Sequence, residues 1–112
     1  MKVGVCVFQN RISPRLDQSR EVRVFEVAQG GSSPLRYVEA IHWQDETVSE
    51  RAKFLRSQGV GNLICGAAEP WMEEHFRNRG IHLYSWVSGS LEEILEALAG
   101  GDLIPFPPHT GR

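Results

Sequence analysis

The fold of this chain is decided by its first apolar stretch, Lys2-Val3-Gly4-Val5-Cys6-Val7-Phe8. The stretch carries no charge after Lys2 and is rich in β-branched residues, a pattern typical of a strand buried on both faces at the middle of a sheet. It also lacks a carboxylate, which excludes nucleases that hold a divalent metal ion through an acidic residue on the first strand. We therefore place a central strand at residues 2–8.

The segments that follow predict a hairpin. Residues 10–17 are polar and interrupted by Pro14, which predicts an ordered loop. Residues 21–27 and 35–43 have strand-like patterns on either side of a flexible turn at 29–34. We therefore predict that the second and third strands pair as a hairpin.

Three helices are predicted in the second half of the chain, and each has a start signal. Two of the signals are capping boxes, in which a hydroxyl and a carboxylate each satisfy an unpaired backbone N–H group. The third is a proline, which suits the first turn of a helix. The signals stand at 47–50, Pro70 and 90–93, and short apolar strands at 60–65 and 81–87 lie between the helices. The third helix has the clearest apolar face, formed by Leu91, Ile94, Leu95 and Leu98.

These elements predict an α/β architecture with a mixed five-stranded sheet. A hairpin followed by right-handed crossovers makes strands 1, 4 and 5 parallel and strand 2 antiparallel. The spatial order is then 3-2-1-4-5, counting strands along the chain, with helices on the faces, and it resembles the ribonuclease H-like architecture. Because 112 residues support one core, residues 1–104 are expected to form a single domain. The proline-rich residues 105–112 are expected to form a flexible tail.

Charge and composition exclude several classes of function. Twelve basic and fourteen acidic side chains give a net charge of -2 without a basic segment, so we expect no nucleic-acid partner. No apolar stretch approaches the roughly 20 residues that cross a bilayer, and no secretion signal is recognisable, so we expect a cytoplasmic protein without a membrane partner. No phosphate-binding or dinucleotide-binding glycine motif follows a strand.

A ligand is expected at the carboxyl ends of the parallel strands, where ligands of open α/β sheets usually bind. The loop 10–17, Cys65 with Gly66, and His42 all reach this edge in the predicted topology. Small residues follow Cys65 and a helix start lies near it, which predicts an accessible thiolate. The alternative is a thiol packed as a small apolar group, which is our expectation for Cys6. For the loop, the alternative is a connector held by Asx-type hydrogen bonds.

A series of short motifs extends from Met1 to about Leu103. It consists of Met1-Lys2-Val3-Gly4-Val5, Asn10 with residues 12–17, Gly59-Val60 before residues 63–66, Gly80-Ile81, and Val87-Ser88-Gly89 with residues 91–93. In this order and spacing, the motifs resemble the dinitrogenase iron-molybdenum cofactor biosynthesis family. The resemblance implies a small ribonuclease H-like domain that binds or carries metal-sulfur clusters, in some members as a nitrogenase accessory protein.

Two functions are left open. The resemblance implies a non-catalytic carrier that transiently binds an iron- or molybdenum-containing sulfur cluster and works with assembly or recipient proteins. The alternative is a metal-free interaction or regulatory domain, with Trp43, Trp71 and Trp86 as partner contacts. In the carrier, backbone N–H groups would bind the anionic sulfides, and a side-chain ligand would fill an open metal position. Its site would comprise Asn10, Ser13, Arg15, His42, Cys65 and Gly66, with Cys65 and His42 as metal ligands.

Overall fold

The computed structural model of the chain describes residues 1–27 and 35–100. Its elements are β1 (Lys2–Phe8), β2 (Arg11–Ile12), β3 (Glu21–Glu26), β4 (Arg36–His42), α1 (Val48–Ser57), β5 (Val60–Ile64), α2 (Pro70–Asn78), β6 (His82–Tyr84) and α3 (Leu91–Ala99). The predicted turn at 29–34 and the predicted tail at 105–112 lie outside the described residues.

One mixed sheet organises these elements, with the strand order β4-β3-β1-β5-β6 and β2 paired with β1. β1 is antiparallel to β3 and parallel to β5, and β5 is parallel to β6. β4 pairs antiparallel with β3. The order matches the predicted 3-2-1-4-5, so the mixed α/β sheet and the central first strand are confirmed.

Two features differ from the prediction, an additional short strand and an earlier strand end, and both lie at the carboxyl ends of the parallel strands. The predicted loop contains the short strand β2, so the sheet has six strands rather than five. β6 ends at Tyr84, whereas the pattern predicted a strand to Val87. The chain leaves the β-ladder because Trp86 has a φ of 65° and donates its N–H to the carbonyl of Gly66.

The two faces of the sheet bury separate apolar clusters. The cluster beneath α1 and α2 contains Leu55, Met72 and Phe76. The cluster beneath α3 contains Ile94 and Leu98. Alternation along the central strand supplies both clusters, because successive side chains of a strand point to opposite faces. The sheet is therefore the middle of three layers, and its carboxyl edge lies between the helix starts.

Candidate functional site at the carboxyl edge

The carboxyl edge is formed by three segments that follow β1, β5 and β6: residues 9–17, 65–69 and 85–90. They are held to one another by backbone hydrogen bonds. Leu16 donates to the carbonyl of Ala67 at 2.9 Å, and Ala67 donates to the carbonyl of Pro14 at 2.8 Å. Ile12 donates to the carbonyl of Gly89 at 3.0 Å. Since each segment binds another that is remote in sequence, the edge is an ordered surface.

Asn10 lies at the tip of the β1–β2 hairpin. Phe8 pairs with Arg11, so the turn consists of two residues, Gln9 and Asn10, with φ of 51° and 64°. Positive φ at both positions is the backbone of a type I′ turn, which asparagine adopts more readily than glutamine. The carbonyl of Asn10 accepts from the N–H of Leu91 at 2.9 Å, while its side chain is exposed. The turn therefore presents Asn10 and the exposed Arg11 to solvent.

Gly66 lies where the three segments meet. Any Cβ at this position would overlap the carbonyl oxygens of Ser13 and Pro14. On its other side, the carbonyl of Gly66 accepts from the N–H of Trp86 at 2.7 Å. The backbone of the loop therefore fills the space beside Gly66, which leaves no room there for a bulky inorganic ligand.

Cys65 is buried, with none of its surface exposed. Burial raises the pKa of its thiol well above the usual value, and the electrostatic influence of Cys6 and Glu73 raises it further. The expectation of an accessible thiolate is therefore wrong. That expectation was based on the neighbouring helix start, which favours the charged thiolate. Desolvation of the buried sulfur outweighs this effect.

Ser13 and Arg15 lie side by side on the loop and differ in exposure. Ser13 is buried, and its hydroxyl donates to the carbonyl of Arg15 at 3.3 Å. The Arg15 guanidinium is partly exposed and binds Asp17 at 3.1 Å, with Glu69 at 3.7 Å. Arg15 is therefore a cation held in place at the surface, while Ser13 shapes the loop from within.

His42 lies at the same edge but apart from the other predicted residues. It is exposed at the end of β4, and the strands β3 and β1 separate it from β5. Three strand spacings amount to about 14 Å. His42 and Cys65 therefore do not meet at one metal ion, and a ligand role for each stays a prediction. Among residues 1–27 and 35–100, no group of three or more His, Cys, Asp or Glu side chains is placed to hold a metal ion.

Sequence reasoning missed Arg51, which braces this edge from beneath. The side chain is buried and donates to the carbonyls of Ser19 and Glu46, both at 3.0 Å, with Leu16 and Asp17 at 3.5 Å. Its guanidinium also lies 5.6 Å from the ring centroid of Trp43. A signal was present, because Arg51 occupies a position three residues after Val48 on the apolar face of α1.

Three large aromatic side chains are exposed around the same edge. Phe8 ends β1, Trp71 lies in the first turn of α2, and Trp86 follows β6; they are 52%, 50% and 55% exposed. Aromatic side chains are enriched where proteins contact partners. Of the three tryptophans predicted as partner contacts, Trp43 differs because it is buried.

Comparison with known proteins identifies the family. The model of the family described as dinitrogenase iron-molybdenum cofactor matches residues 1–101. The chain belongs to this family. No curated protein matches the chain.

Solved structures share the fold of this family member at low sequence identity. The crystal structure of the protein PH0822 is 19% identical with a TM-score of 0.78, and the match covers 90% of each chain. A protein from Methanocaldococcus jannaschii, proposed to be a dinitrogenase, is 14% identical with a TM-score of 0.64, covering 91% of this chain and 90% of that one. The apo form of the orange protein from Desulfovibrio gigas is 15% identical with a TM-score of 0.60, covering 90% and 88%.

None of the helices in the described part of the chain has the length and apolar character needed to cross a bilayer.

Proposed function

We propose that this chain binds and carries an anionic iron- or molybdenum-containing sulfur cluster without catalysing a reaction on it. It would act as a cytoplasmic accessory protein that exchanges the cluster with assembly or recipient proteins. The observation that carries the proposal is membership of the dinitrogenase iron-molybdenum cofactor family over residues 1–101. The place we assign to the cluster is the outer surface of the carboxyl edge, around Asn10, Arg11, Arg15 and Trp86.

The chemistry of this surface suits an anionic ligand. Arg11 is exposed, and Arg15 is a second cation that Asp17 orients. The backbone at Asn10 and Trp86 has positive φ, and such uncommon conformations cluster at functional sites. Guanidinium and amide N–H groups donate hydrogen bonds to cluster sulfides and thereby neutralise part of their charge.

Binding of the cluster in this way is reversible. It holds the cluster through charge and hydrogen bonds, and it does not require the buried thiol of Cys65 or the distant imidazole of His42. Salt weakens interactions between exposed charges. A cluster held in this way can pass to a recipient protein without breaking a bond to a protein thiolate.

The experiment is an anaerobic titration with two probes, tetrathiomolybdate and a preformed iron-sulfur cluster, followed by gel filtration and metal analysis. Replacing a guanidinium that donates charged hydrogen bonds should weaken binding roughly 3- to 30-fold. We therefore expect Arg11→Gln and Arg15→Gln each to lower retention. The matched control is Arg36→Gln, because Arg36 is an exposed arginine at the start of β4, on the opposite edge of the sheet.

Three outcomes would overturn this assignment. Equal retention by the three arginine variants and the wild type would remove the surface we propose. Loss of the cluster in Cys65→Ala or His42→Ala, with the arginine variants unaffected, would replace surface binding with direct ligation. A wild type that retains neither probe would remove the carrier function.

A second candidate function is favoured by the exposed aromatic side chains of Phe8, Trp71 and Trp86. Their concentration at the carboxyl edge suits a metal-free interaction domain, in which aromatic groups dominate binding to a partner. The same titration distinguishes the candidates, because only the carrier retains a probe and loses it on substitution of Arg11 or Arg15.

A further inference from the structure

The two cysteines of the chain lie next to each other on neighbouring strands. The last paired residues of β1 and β5 are Val5 and Ile64; Cys6 is the next residue of β1, and Cys65 directly follows the end of β5. Both cysteines belong to the apolar cluster beneath α1 and α2, so their side chains point to the same face of the sheet. Neighbouring strands are about 4.8 Å apart. The fold therefore forms a buried pair of thiols from residues that are remote in sequence.

The surroundings of this thiol pair keep both sulfurs protonated at neutral pH. Burial raises the pKa of Cys6 to about 12, although a hydrogen bond from Ser19 and the charge of Arg51 act in the opposite direction. Burial raises the pKa of Cys65 as well, and so does the charge of a Cys6 thiolate. This influence of Cys6 on Cys65 agrees with their positions next to each other at the ends of paired strands.

Arg51 places a buried positive charge beside the pair. Its hydrogen bonds within the described part of the chain go to backbone carbonyl oxygens, and none of the ion pairs found there includes it. The charges of Glu46 and Asp17 act on the guanidinium as well as Cys6, and of these three groups Cys6 is the buried one. Because the charge of Arg51 lowers the pKa of Cys6, a negative charge on that sulfur would compensate it.

We propose that Cys6 and Cys65 bind one soft, singly charged metal ion such as Cu(I) as a two-coordinate dithiolate, with Arg51 as the counter-ion. Two S–H groups lose their protons to solvent and two metal–sulfur bonds form, without transfer of electrons. The complex carries one negative charge, which the guanidinium balances. This site lies between the sheet and the helices α1 and α2, in the apolar cluster that also contains Leu16, so it is separate from the surface proposed for the cluster.

Geometry and ligand type favour this ion over other uses of the pair. Thiolates select soft metals such as Cu(I). A metal–thiolate bond is about 2.3 Å long, so two bonds in line span roughly 4.6 Å, close to the separation of neighbouring strands. A disulfide would join the same two sulfurs only with loss of two electrons to an oxidant, whereas binding of Cu(I) needs none.

The test uses the full-length reduced protein under anaerobic conditions, with Cu(I) supplied as its coloured complex with bicinchoninate. We expect the wild type to remove one ion per chain from the chelator and to release two protons per ion in weakly buffered solution. Binding of the ion should be slow, because the buried thiols become accessible only when the structure opens locally. Cys6→Ala and Cys65→Ala should each lower the affinity at least about 100-fold, as expected when one of two metal ligands is removed.

A matched control is Met72→Leu, which removes a buried thioether from the same cluster and should leave copper binding unchanged. Equal affinity in the wild type and both cysteine variants would overturn the proposal, as would a wild type that leaves the copper with the chelator or releases no protons.

Thermal unfolding of the metal-free variants shows whether they fold. If they do not, the stoichiometry and proton release of the wild type decide. Cluster retention by Cys6→Ala tests the surface site separately.

Discussion

The candidate site depends on single residues, and Gly66 is the one with the least space for a side chain. The carbonyl oxygens of Ser13 and Pro14 occupy the space that any side chain at this position would need. The contact joins the loop after β1 to the end of β5. A side chain here would push the loop away from the end of β5.

Gly66→Ala is therefore expected to lower the free energy of unfolding by about 1 to 3 kcal/mol, the usual cost of forcing extra atoms into a packed region. Urea denaturation measures the loss. Gly61→Ala is the matched control, because a Cβ there meets no atom within 4 Å and Gly61 also lies on β5. Equal stability of the two variants would contradict the contact.

Arg51 supports the same loop by donating to the carbonyl of Ser19 and to that of Leu16, which also accepts from the N–H of Ser19. Arg51→Met keeps the apolar stem and removes the donors, so we expect a loss of about 1 to 3 kcal/mol in the free energy of unfolding. Hydrogen exchange should also become faster in residues 16–19. Lys53→Met, at an exposed position of the same helix, is the control. Unchanged exchange in the loop would show that Arg51 does not brace it.

Among the elements, α3 was predicted with the correct start, but one residue of its predicted apolar face is less buried than expected. Its capping box forms as predicted, with Ser90 accepting from the N–H of Glu93 at 3.1 Å. Of the predicted apolar stripe, Ile94 and Leu98 are fully buried, but Leu95 is only partly buried. The stripe predicts which residues approach the core, whereas the tilt of the helix on the sheet decides how deeply each one is buried.

Ile94→Ala should accordingly lower the free energy of unfolding by about 2 to 5 kcal/mol, because it leaves a cavity in a closed part of the core. Leu95→Ala should cost less, about 1 kcal/mol, since Leu95 packs at the margin of the core and part of its surface already faces solvent. Denaturant unfolding of the two variants gives the comparison. A larger loss for Leu95→Ala would mean that α3 is rotated relative to the sheet.

At the scale of the whole molecule, the buried thiols link stability to alkaline pH. The folded protein holds the pKa of Cys6 at about 12, above the ordinary value of 9.0 for an unfolded chain. The stability that this neutral thiol contributes is complete below about pH 9 and is lost as the pH rises towards 12.

The wild type should therefore lose about 1.4 kcal/mol per pH unit for such a thiol above pH 9, in addition to the effect of other groups. Cys6→Ala lacks this contribution, so the difference in unfolding free energy between wild type and variant should shrink between pH 9 and 11. Denaturant titrations at each pH measure it. A difference that is constant with pH would show that Cys6 is not buried in the folded state.

The sequence by itself determined the order of the elements, the central first strand, the helix starts and the parallel arrangement of β1, β5 and β6. These features depend on local apolar periodicity, capping residues and the handedness of crossovers, all of which can be read along the chain. The short strand β2 and the early end of β6 were missed, because pairing with remote segments decided them. The family resemblance was also visible in the order of its motifs.

Only the tertiary structure decided the state of the candidate site. Cys65 is buried in the cluster beneath α1 and α2, and the carbonyls of residues 13 and 14 fill the space beside Gly66. Two intervening strands separate Cys65 from His42. Arg51 reaches carbonyls more than 30 residues away. Burial, and with it the pKa of a thiol, depends on which remote segments close over a residue, and this information is not contained in the pattern around the residue itself.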